Sequence, residues 1–181
     1  MKIRSDFVTN SSSSSFILTF KDKKDYKEFE DYCKEYSYKP LLNLVKSNLN
    51  EKNGLISLYN EDTSNYTEEE YKEVLKNIVK EWLVSDKRIS YLDEKVDKSL
   101  PFREQLEIRK ELENSKEYKD YIEDFLTRTQ YTRMCEKIEN SELFSCGMIW
   151  DTSGGLLEYA IRNGLLEREF RKWLVIVFNV G

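Results

Sequence analysis

Two hydrophobic periods alternate along the chain, one of about two residues and one of three to four. In "SSFILTF", Phe16, Leu18 and Phe20 alternate with Ile17 and Thr19, which predicts a strand from about Ser14 to Phe20. The period then lengthens. Tyr26, Phe29, Cys33 and Tyr36 recur at helical spacing, so the next segment reads as an amphipathic helix. Pro40 punctuates its end, and "PLLNLVKSNL" reads as a second, shorter helix closed by an Asn53-Gly54 turn. "GLISLY" reads as a strand over Leu55 to Tyr59.

The clearest helix begins at "NYTEEEYKEV". Thr67 and Glu70 fit a capping box, and Tyr71, Val74, Leu75, Ile78, Val79 and Trp82 form one apolar face. "KRISYLDE" suggests a short strand. From about Pro101 to Asn140 the pattern is helical and densely charged, with Pro101 suited to a first turn and a break near Asn114-Ser115. Tyr118, Tyr121, Ile122, Phe125 and Leu126 supply the apolar face after that break. Cys146 to Trp150 reads as a strand, "DTSGG" as a turn, and Leu156 to Ile161 as a short helix ended by Asn163-Gly164. "KWLVIVFNV" is nearly all apolar and is expected at the centre of a sheet covered on both faces. The three tryptophans, Trp82, Trp150 and Trp173, read as buried anchors.

These elements predict an α+β fold: a mixed β-sheet packed by helices, with a charged helical segment between the N- and C-terminal strands. The 181 residues suit a single domain, with about 100–140 as a helical insertion within it.

Composition narrows the chemistry. Charged residues make up 35% of the chain and are mixed in sign, with a net charge of -5, which argues against non-specific nucleic-acid binding. There is no histidine, so the commonest general base and the Ser-His and Cys-His arrangements are excluded. Cys33, Cys135 and Cys146 form no CxxC and no zinc spacing, and read as free thiols in a reducing cytosol. No metal or other cofactor is expected. No apolar run reaches the length of a membrane span, so a cytoplasmic protein without membrane contact is expected.

Two segments could build a site. The first is the serine run and its neighbours, Arg4, Asn10, Ser11, Ser12, Ser13, Ser14 and Ser15. Hydroxyls and closely approached backbone N–H groups can cradle an anion, and Arg4 adds charge. Phe7, Val8 and Phe16 would anchor the run at both ends, against the plainer reading of a loose tail or the further reading of a phosphorylation site. The second is the strand–turn–helix of Asp151, Thr152, Ser153, Gly154 and Gly155, where free N–H groups at a helix start bind anions. It lacks the P-loop lysine, and a simple N-cap with a glycine turn is the favoured explanation. If their strands are neighbours, the two segments meet at one edge of the sheet.

The stretch "MKIRSDFVTNSSSSSFIL" resembles an N-terminal signature of uncharacterised proteins from low-GC Gram-positive bacteria and their phages, in which a basic start leads to F-V-x-N-S-S-S-S-S-F. Lys2, Arg4, Phe7, Val8, Asn10, Ser11 to Ser15 and Phe16 match it; Asp6 stands where a small residue is expected. The resemblance covers about a tenth of the chain. It implies a phage or mobile-element setting and no particular activity. The leading expectation is a non-enzymatic protein binding a small anionic ligand such as a nucleotide signal, in an anti-defence role. One alternative is a protein-interaction inhibitor of a host defence enzyme, acting through the charged helices. Another is a metal-dependent hydrolase or transferase using Asp151 and Glu158. A homo-oligomer is compatible with any of them.

Overall fold

A computed structural model describes residues 13–49, 66–150 and 164–180, apart from the side chains of residues 13–14, 148–150 and 178–180. The strand at Leu55–Tyr59 and the helix at Leu156–Ile161 lie outside them. The described residues form an α+β fold of seven helices and three strands. In chain order these are β1 (Ser13–Phe20), α1 (Lys23–Glu35), α2 (Lys39–Ser47), α3 (Glu68–Lys95), α4 (Phe102–Asn114), α5 (Lys116–Thr127), α6 (Tyr131–Glu139), β2 (Leu143–Trp150), α7 (Leu165–Glu169) and β3 (Leu174–Val180). Two compact units divide them: Met1–Lys72 with Lys137–Gly181, and Glu73–Glu136.

In the first unit the sheet order is β2-β1-β3, and both pairings are antiparallel. Among the described strands the centre therefore belongs to β1, not to the more apolar β3. Every residue from Ser15 to Phe20 is buried. Phe16, Leu18 and Phe20 point to one face and pack with Phe29 and Cys33 of α1, Leu41 and Val45 of α2, and Phe170 and Trp173. Their rings form an edge-on and tilted cluster, with Phe20–Phe29 centroids 5.2 Å apart and Phe29–Trp173 centroids 5.3 Å apart. Gly147 lies opposite Phe16, and a Cβ there would stand only 3.1 Å from the Phe16 ring, so the absent side chain makes room for that ring. On the other face Ile17 and Thr19 lie opposite Cys146 and Phe144. Tyr71, in the first turn of α3, packs its ring 5.7 Å from that of Phe144.

Local polar contacts fix the ends of elements. Asp22 caps α1 by accepting from the Asp25 N–H at 2.8 Å. The capping box of α3 is present: the Thr67 N–H donates to the Glu70 carboxylate at 2.8 Å, and the Glu70 N–H donates to Thr67 Oγ1 at 3.2 Å. Ser115 ends α4 and caps α5, so one residue makes the break between them. Asp25 ties α1 to β3's approach, pairing with Lys172 at 2.8 Å and accepting from Trp173 Nε1 at 3.1 Å. Burial alone would raise its pKa; the Lys172 ammonium and the Lys21 and Trp173 N–H groups hold it below its ordinary value.

The segment "KRISYLDE" is not a strand. It continues α3, which runs to Lys95, because Val84, Arg88, Tyr91 and Leu92 keep helical spacing while the apparent alternation covers only Ile89 and Tyr91. In the second unit Val84, Ile122 and Leu126 form a core cluster, with Tyr118, Phe125 and Tyr131 packed against it.

Candidate functional site

Of the residues expected to bind a ligand, Arg4, Asn10, Ser11, Ser12, Asp151, Thr152, Ser153, Gly154 and Gly155 lie outside the described residues, as does Glu158. Ser13, Ser14 and Ser15 belong to β1 and not to a loop. Their backbones are paired on both sides, Ser13 with Trp150 and Val180, Ser14 with Ile149 and Asn179, Ser15 with Met148 and Phe178. In a central strand the N–H groups are committed to the ladders, so these three residues do not offer a backbone cradle. Ser15 is fully buried and is a core residue, not a surface contact. The strands β1 and β2 are neighbours, with Ser13 opposite Trp150.

Polar groups buried on the second face of the sheet are few. Ser15 Oγ has no hydrogen-bond partner. The Tyr71 hydroxyl also lacks an oxygen or nitrogen partner and lies beside the Cys146 thiol. Burial pushes the Cys146 thiol up to about 12, and Cys33 likewise to about 12, so neither is a thiolate nucleophile near neutral pH. Burial also raises the Tyr71 phenol, with a smaller contribution from Cys146. Among the described residues no three His, Cys, Asp or Glu side chains converge as a metal site. No helix among them is long and apolar enough to cross a membrane. Glu30 is the focus of three lysines, Lys27 at 2.8 Å, Lys34 at 3.2 Å and Lys46 at 2.5 Å, which hold it down to about 2. Lys27 and Lys34 also pair with Asp31, so each lysine of this exposed cluster already has a carboxylate partner. The left-handed backbone of Ser37, with φ 63, is explained by helix termination: the Tyr38 N–H returns to the Cys33 carbonyl at 2.8 Å.

The more informative surface is on the helical unit. Tyr71, Leu75, Ile78, Val79 and Trp82 fall on one stripe of α3, and the first four are buried. The stripe continues to Ile89, two turns beyond Trp82. There it is open: Trp82 is 38% exposed and Ile89 54%. Beyond Trp82 the helix buries its opposite side, with Val84 in the α5 cluster and the Tyr91 ring 5.4 Å from Tyr118. Asp93, one turn past Ile89, pairs with Arg109 of α4. Phe102 and Leu106 share the α4 face of Arg109; no α4 residue is fully buried, and Ile108 and Leu112 are half-buried. Leu106 is 40% exposed, so Ile89 and Leu106 flank the Asp93–Arg109 pair from two helices. Trp82 is thus not a buried anchor. The signal for this was the second apolar row, Val84 and Tyr91, which shows α3 turning its other side inward.

No family model matches the chain, and neither does any curated protein or solved structure.

Replacing Ser15 by Ala removes a buried hydroxyl that has no partner. We predict that Ser15→Ala leaves the fold unchanged and raises unfolding stability by about 1 kcal/mol in a urea titration. A loss of similar size would mean that the hydroxyl is hydrogen-bonded.

Proposed function

We propose that the protein is a non-enzymatic interaction protein that engages another protein through the partly exposed Trp82–Ile89 part of α3 and the adjoining face of α4. The observation that carries this is the exposure of Trp82 and Ile89 on a stripe whose earlier members are buried. Apolar groups of this size gain most from being covered, and tryptophan is the residue most often found at the energetic centre of protein interfaces. The Asp93–Arg109 pair between Ile89 and Leu106 supplies charged groups that give such a surface orientation and selectivity. In the phage-related setting that the N-terminal string implies, a host defence enzyme is the kind of partner proposed. The test is affinity capture from host lysate with the intact chain and with Trp82→Glu and Ile89→Glu. Both variants are expected to keep the far-ultraviolet circular dichroism of the parent and to lose the captured protein. Capture that survives both substitutions contradicts the proposal.

A second reading has its own support. The Ser13–Trp150 register favours a small anionic ligand, such as a nucleotide, held where the residues before Ser13 and after Trp150 join the sheet. Arg4, Ser11, Ser12, Ser153 and Gly154 are its proposed contacts. A bound ligand at one hundred times its dissociation constant adds about 2.7 kcal/mol of stability. Thermal unfolding with a nucleotide panel and with inorganic phosphate is expected to show a rise in melting temperature for at least one compound. A flat panel removes this reading and leaves the first untouched.

A further inference from the structure

On the opposite side of α3 from Trp82 and Ile89, the helical unit carries a cleft of about 330 Å³ between α3, α5 and α6. Its floor is apolar, formed by Ile122 and Leu126, which are 7% and 8% exposed. Its rim carries Lys80, Glu123, Tyr131 and Thr132. Neither Lys80 nor Glu123 enters an ion pair among the described residues. The volume lies at the small end of ligand-binding clefts and suits one bulky apolar side chain better than a whole cofactor.

The same unit presents such a side chain. Phe102 begins α4 and is 74% exposed, the most exposed of its large hydrophobic residues. Arg103 and Glu104 follow it directly. The Arg103 side chain is 92% exposed and makes only a 3.8 Å pair with Glu107. The knob therefore carries one cation and one anion beside an aromatic ring, and the cleft carries one anion and one cation above an apolar floor. Size and charge are complementary.

We propose that two copies of this chain associate by inserting Phe102 of each into the α3–α5–α6 cleft of the other, with Arg103 facing Glu123 and Glu104 facing Lys80. Each copy offers one knob and one cleft, so reciprocal insertion closes as a two-fold dimer and leaves no further knob free. The cleft lies away from the Trp82–Ile89 stripe, while Phe102 shares the α4 face beside it; self-association of the purified chain is read without any other protein, so its failure is distinguishable from failure of capture.

Sedimentation velocity on the full chain over a concentration series tests it. The parent is expected to pass from monomer to dimer and to stop there. Phe102→Ala removes an exposed ring, so it leaves the fold intact and should raise the dimer dissociation constant at least tenfold, about 1.4 kcal/mol. Arg103→Glu and Glu123→Arg should each weaken the dimer by bringing like charges together, and the two combined should restore it. That recovery cannot come from a change in the fold of one subunit. A parent that stays monomeric at the highest concentration, assembly beyond the dimer, indifference to Phe102→Ala, or failure of the combined variant to recover would each overturn the proposal.

Discussion

Burial of β1 on both faces is the constraint on which the first unit depends. Phe16, Leu18 and Phe20 supply the centre of the aromatic core beneath α1 and α2, while Ser15, Ile17 and Thr19 are sealed on the other side. Each fully buried large apolar side chain contributes about 1.5–3 kcal/mol. Four of them on one strand outweigh the cost of one unpartnered serine hydroxyl, about 1–3 kcal/mol. The end of the serine run is therefore drawn into the sheet by the residues that follow it. Ser145 shows the satisfied version of the same situation, donating from a buried position to the Val45 carbonyl at 3.1 Å.

The second unit obeys a different constraint. α3 begins with its Tyr71–Leu75–Ile78 stripe buried and ends with Val84 and Tyr91 buried instead. A straight helix that changes its buried side leaves apolar residues open on the side it abandons. Trp82 and Ile89 are those residues. Beside them α4 has no fully buried residue and leaves Phe102 and Leu106 exposed.

Much of the architecture was legible in the sequence. Local signals with a definite geometry held: the Thr67–Glu70 capping box, Pro101 at a helix start, and the break at Ser115. The α+β class followed from the two periods. Order within the sheet was not legible, because β3 looks more central than β1 by apolarity alone, and the small polar residues Ser15 and Thr19 disguised a strand that is sealed on both faces. Of the candidate surface, the apolar face of α3 from Tyr71 to Trp82 was legible in the sequence. The exposure of Trp82 was hidden because periodicity identifies an apolar stripe without saying how far along it another element reaches.

The central claim is that the end of the serine run joins the middle strand of the described sheet, with Ser15 in the core, and amide hydrogen exchange tests it most directly. The account predicts that Ser15 to Phe20 exchange only through global unfolding, among the slowest amides in the protein. Exchange of Ser15 and Phe16 at rates near those of an unstructured chain would contradict it.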